Sequence, residues 1–96
     1  MIRHIVPFRL KHAQASAEEQ AFLAALGTLA DIPGVERFEV LRQVSVKNDF
    51  AFAVSMEFAD QAAYAAYNDH PHHVAFVQGH WIPEVADFIE IDLSGM

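Results

Sequence analysis

The chain has 96 residues, 53% of them apolar and 20% charged, which suits one folded domain over residues 1–96 and excludes a disordered or low-complexity chain. It contains no cysteine, which excludes a disulfide framework, a thiolate metal site and a cysteine nucleophile. The net charge of −7 would repel polyanions, so neither nucleic acid nor an anionic membrane surface is an expected partner.

Residues 2–11 alternate with period two, placing Ile2, His4, Val6, Phe8 and Leu10 on one face of a strand. Pro7 has no amide to give a ladder, so it predicts an edge or a bulge there. Charges interrupt this apolar opening and no small-residue cleavage site follows, so no signal peptide is expected, and the expected location is cytoplasmic. No apolar run approaches the roughly 20 residues of a membrane span. Ser16-Ala17-Glu18-Glu19 forms a capping box. The helix it opens should bury Phe22, Leu23, Leu26, Leu29 and Ala30 and end at Pro33-Gly34.

Residues 35–46 alternate again, with Phe38, Val40, Val44 and Val46 in a row that Arg42 interrupts. A short connection at Lys47-Asn48-Asp49 leads to a strand over residues 50–58, with bulky Phe50, Phe52, Val54, Met56 and Phe58 opposite small residues. Asp60 is a good N-cap for a helix carrying Tyr64 and Tyr67. His70 precedes Pro71 and is pushed out of the helical region, while Pro71 suits the first position of a new helix running to Gly79. Trp81-Ile82-Pro83 should then lead into a last strand with Val85, Ile89, Ile91 and Leu93 in one row.

The order β-α-β-β-α-β predicts an α+β, ferredoxin-like fold, a four-stranded antiparallel sheet with both helices on one face. Apolar residues nevertheless occupy both rows: Ile5 and Pro7 opposite Val6 and Phe8, Leu41 opposite Val40, Phe88 opposite Ile89. An uncovered apolar sheet face calls for a partner, and a two-fold homodimer packed through its sheet faces is the simplest one.

Several segments resemble the stress-responsive A/B barrel (Dabb) family: the opening Met1-Ile2-Arg3-His4-Ile5-Val6-Pro7-Phe8, then Ile32-Pro33-Gly34-Val35, Met56-Glu57-Phe58 and Tyr67-Asn68-Asp69-His70-Pro71-His72-His73-Val74. The resemblance runs over about residues 2–93, and its most specific part is the Tyr-x-x-His-Pro-x-His segment. It implies a dimeric α/β barrel of ferredoxin-like protomers. Many family members have no assigned activity. One plant member is a polyketide cyclase that closes a ring without a cofactor, using a tyrosine and a histidine similar to Tyr67 and His73.

Six histidines are present, and three of them lie in His70-Pro71-His72-His73. At the third position of a helix, His73 would be held neutral by the helix N-terminus and could act as a general base. Tyr67 would then stabilise a developing oxyanion, with His4 orienting one of the pair. His73, Val77 and His80 share a helical stripe, so His73 is expected to face the core side. His12 and His72 are expected to face solvent. Phe8, Phe52, Phe58 and Phe76 would line an apolar cavity, and Tyr64 and His70 complete the expected binding residues.

No cofactor and no metal site is expected, although His70, His72 and His73 are close enough in sequence to raise the question. The resulting expectation is a homodimer that binds a small, largely apolar molecule. Cofactor-free acid–base chemistry of the lyase or cyclase type could run on His73 and Tyr67. The alternative is a non-catalytic stress-response or ligand-binding scaffold.

Overall fold

The computed structural model describes residues 1–96. Strand β1 spans Ile2–Leu10, helix α1 Ala17–Gly27, β2 Glu36–Arg42, β3 Phe52–Phe58 and α2 Gln61–Asp69. Helix α3 spans Pro71–Phe76, α4 Ile82–Glu84, β4 Val85–Phe88 and β5 Ile91–Ser94. The ferredoxin-like fold expected from the element order is present: all strand pairs are antiparallel and run β2-β3-β1-β4, with β5 also on β1. No helix is long and apolar enough to cross a membrane.

Local signals set the helix starts. The Ser16 hydroxyl accepts the Glu19 amide at 3.1 Å, while the Glu19 carboxylate reaches the Ala15 amide rather than that of Ser16. Asp60 caps α2 through the Ala63 amide at 2.9 Å, and His70 Nδ1 caps α3 through the His72 amide at 3.1 Å. Helix α1 buries Phe22 and Leu26, and the 3₁₀ turn Thr28–Asp31 buries Leu29, whereas Leu23 is only half-buried and Ala30 is exposed.

The structure departs from the sequence expectation in four ways. The fourth strand is interrupted, giving five strands instead of four. Phe8 pairs with Phe88 and Ile5 with Ile91 in one register, so no residue is inserted between β4 and β5. The interruption lies opposite Pro7: Ile89 N–H donates to the Pro7 carbonyl at 3.1 Å, and the proline has no N–H to return. Pro7 is thus central in the sheet rather than at an edge, and its neighbour gives way.

Second, the last strand does not keep Val85, Ile89, Ile91 and Leu93 in one row. A register shift between Arg9 and Leu10 turns Val85 inward, while Ile91 and Leu93 face out, opposite Ile5 and Arg3. Phe88, opposite the buried Phe8, faces the helix side, which reverses its expected placement. Third, β2 stops at Arg42, leaving Val44 and Val46 fully exposed beyond it, and Phe50 precedes β3. Arg42 fits the inward row because its guanidinium lies 5.1 Å from the Phe52 ring centre.

Fourth, the chain does not leave the helix at Gly79. A π turn over Val77–Trp81 joins α3 to α4, so Trp81, Ile82 and Pro83 are helical. The wider turn breaks the stripe drawn from His73 through Val77 to His80. His80 stacks on Phe76 and bonds Glu84 at 2.8 Å. His12, expected in solvent, is half-buried and bonds the other Glu84 oxygen at 2.7 Å, and His72 is half-buried against the Thr28 hydroxyl at 2.9 Å.

The core lies between helices and sheet. Phe22 is fully buried and packs 5.6–5.7 Å from Phe8 and Phe76 and 6.1 Å from Trp81, joining α1, β1 and the C-terminal helical segment. Phe22→Ala should therefore cost roughly 3–5 kcal/mol, read as a lower urea midpoint at unchanged slope. A loss below about 1 kcal/mol would mean that this junction is not packed as described.

Candidate functional site

A cavity of about 460 Å³ opens between the helices and the sheet. Its floor is Val6, Val54 and Met56 of the sheet, and Leu26, Leu29, Phe76, Val77 and Trp81 form much of its helical wall. Twelve of its 15 lining residues are hydrophobic, Tyr67 among them, and its polar groups are confined to His4, His73, Glu90 and the Tyr67 hydroxyl.

His4 is 5% exposed, so its ring needs partners. Nδ1 lies 2.6 Å from Asp92 Oδ1, and because a carboxylate only accepts, Nδ1 carries the proton. The Tyr64 hydroxyl donates to Asp92 Oδ2 at 2.9 Å and Oδ1 at 3.1 Å, and its oxygen lies 3.0 Å from His4 Nδ1. Burial, with Asp92 beside it, pushes the Tyr64 phenol well above its usual range, so it stays protonated. In the neutral His4 ring the lone pair is left on Nε2, which bonds nothing in the chain while the ring lines the cavity.

His73 stands at the third position of α3, where Pro71 begins the helix. Nδ1–H donates to the Asn68 carbonyl at 3.1 Å, leaving the Nε2 lone pair free. Its pKa is lowered, and the main cause is burial, not the helix N-terminus invoked from sequence; the Asn68 carbonyl opposes the shift and the nearby His4 ring adds to it. The Tyr67 ring packs 4.3 Å from the His73 ring. Tyr67 is 2% exposed and its phenol is pushed up, first by burial, so it remains a donor at neutral pH. Its hydroxyl has no hydrogen-bond partner in the chain, yet no buried side-chain polar atom is left stranded, so the group retains an opening.

The structure brings Tyr67, His73, His4 and Phe76 to one cavity. It does not bring the other expected binding residues there. Phe8, Phe52 and Phe58 are packed into the core by neighbouring aromatic rings, Tyr64 backs His4, and His70 is a helix cap. His4 bonds Asp92 and Tyr64, so it orients neither Tyr67 nor His73 directly. The three clustered histidines bond three different partners, and no three acidic or histidine side chains are grouped to hold a metal ion. Asp92 and Glu90 were not singled out from sequence. Their signal was the alternation of the last strand, legible only once its register against β1 is known.

The family profile for the stress-responsive A/B barrel domain matches residues 2–94. This chain belongs to the stress-responsive A/B barrel (Dabb) family. A Dabb protein of ferredoxin-like fold from Mesorhizobium loti is 58% identical, with a TM-score of 0.96 over 99% of this chain and 96% of that one. A dimeric ferredoxin-like protein of unknown function from Thermobifida fusca is 26% identical, with a TM-score of 0.81 over 98% and 90%. The hydroxynitrile lyase of Passiflora edulis is 18% identical, with a TM-score of 0.83 over 96% and 90%, a likeness of fold alone. No curated protein matches the sequence.

Two pKa directions give the sign of the contributions that His73 and Glu84 make to the pH response of this Dabb chain. His73 is held neutral where the unfolded chain would bind a proton, so stability is lost as pH falls below the ordinary value of 6.5. For Glu84, burial alone would raise the pKa, but hydrogen bonds from His12 and His80 outweigh it and lower it. The stability it contributes is present above the ordinary 4.5 and fades as pH falls through its lower folded value. Imidazole titration by NMR should therefore put the His73 midpoint below 6.5, with the protein melting at lower temperature as the pH is brought down. A His73 midpoint at or above the ordinary value would contradict the burial described.

Proposed function

We propose that this Dabb chain is a homodimer that holds a small, largely apolar molecule in the cavity, where His73 and Tyr67 perform cofactor-free acid–base chemistry. The observation that carries this reading is an unbonded phenol and a neutral imidazole with a free lone pair, in ring contact on the wall of an otherwise apolar cavity. His73 Nε2 takes an acidic proton, such as one α to a carbonyl. Tyr67 donates to the oxygen on which negative charge develops; a fixed donor that needs no reorganisation is what such a step requires. His4, backed by Asp92 and Tyr64, presents a second nitrogen to the same space. The fold alone implies no activity, and the likeness to a hydroxynitrile lyase is one of fold.

The outer sheet face supports the dimer. Leu41, Ile91 and Leu93 are 46%, 37% and 48% exposed in the single chain, and Ile5, Pro7 and Ala53 lie between them. Arg3 and Glu57 pair at 2.7 Å at one end of this face, giving it a polar margin. Two sheets packed face to face would remove the apolar middle from water. The dimeric relative from Thermobifida fusca supports this reading.

Light scattering should give about twice 10.7 kDa at micromolar concentration, and Ile91→Glu should return the chain to a monomer. A monomeric wild-type protein would rule out the assembly. The chemistry is tested with β-tetralone, a neutral aromatic ketone, in deuterated buffer. Wild type should accelerate α-proton exchange, His73→Ala should lose roughly 100-fold or more, and Tyr67→Phe should lose less. Binding itself is followed at the Trp81 indole resonance. Binding without exchange above background would leave the scaffold alternative standing and remove the catalytic one.

A further inference from the structure

Alternation sends Phe88 and Asp92 to the helix side, opposite Phe8 and His4, and Glu90 lies between them on the same side. It sits in the interruption that Pro7 imposes, where Ile89 is tethered by a single bond. Its side chain lines the cavity with Val6, Tyr67 and His73. Unlike Asp92, which is occupied by His4 and Tyr64, the Glu90 carboxylate takes part in none of the ion pairs of the chain. No lysine or arginine lines the cavity. Arg3 and Arg37 are engaged by Glu57, and Arg42 lies over Phe52.

The cavity therefore pairs an apolar interior with an uncompensated negative group at its polar wall. An anionic ligand would meet Glu90 directly and Asp92 behind His4, with no cation to repay its desolvation. Glu90 is exposed at the edge of the cavity, so a ligand with an ammonium or a hydrogen-bond donor would find an acceptor that gives up only water, and no partner in the chain, to receive it. We propose that Glu90 determines ligand class here, favouring an apolar molecule with a cationic or hydrogen-bond-donating head and discriminating against carboxylates. This deepens, and rests on, the assignment of the cavity as a ligand site.

Three probes of one shape and different charge test it: naphthylmethylamine, naphthylmethanol and naphthoate, each titrated by calorimetry with the Trp81 indole resonance reporting entry. Wild type should bind the amine at least about tenfold more tightly than the acid at low salt, with the alcohol between them. Glu90→Gln should shrink that ratio to about threefold or less while leaving the alcohol unchanged, and added salt should compress it in wild type. If the alcohol binds at Trp81 but the acid binds as well as the amine, or Glu90→Gln leaves the ratio intact, the role of Glu90 is overturned and the cavity stands. If none of the three perturbs Trp81, the cavity assignment falls, and the role of Glu90 with it.

Discussion

A buried imidazole organises the polar side of this protein. His4 lies in the middle of the first strand with almost no access to water, and such a ring is stable only when its N–H is bonded. Asp92 supplies the acceptor and is itself held by the Tyr64 hydroxyl. These three groups tie β1, β5 and α2 together. They also decide which nitrogen of His4 is left for the cavity, and they keep the carboxylate of Asp92 engaged behind the ring instead of loose in the ligand space.

Around that cluster the shape follows from how the aromatic rings are divided. Phe8, Phe22 and Phe52 pack on one another in the core with Arg42 over the outer end of that stack, while Phe58 packs on Tyr64 and Tyr67. Phe76 and Trp81, brought round by the π turn, face both this stack and the open space. Packed rings on one side and a polar cluster on the other leave a cavity that is apolar except along the line His4, Tyr67, His73 and Glu90. The opposite sheet face, with Ile5, Ile91 and Leu93, has no helix to cover it.

Features decided by neighbours in sequence were legible in sequence. The Ser16 and Asp60 caps, the helix break at His70-Pro71, the alternation of residues 2–10 and 52–58, and the inward side of His4 all depend on local periodicity, on proline or on one side chain bonding a nearby amide. The order of elements followed from the same local signals, and the resemblance to the family agreed with it. What could not be read depends on partners far along the chain. The interruption of the last strand comes from Pro7, roughly eighty residues earlier, acting across the sheet. The inward turn of Val85 needs the irregularity beside Leu10. The extra residue in the π turn moves His80 off the stripe of His73, and no local pattern announces it. Phe8 and Phe52 read as cavity residues because they are large and inward, but large inward residues fill a core first. Asp92 and Glu90 carried no motif, and only the pairing of β5 with β1 gives them a direction.

The most direct test of the central claim is a crystal structure of the protein grown with β-tetralone at saturating concentration. The account predicts the ketone ring enclosed by Val54, Met56, Phe76 and Trp81, with its oxygen in hydrogen-bond reach of the Tyr67 hydroxyl and an α-carbon facing His73 Nε2. A cavity closed by its own side chains, with the ketone bound only on the outer surface, would contradict it.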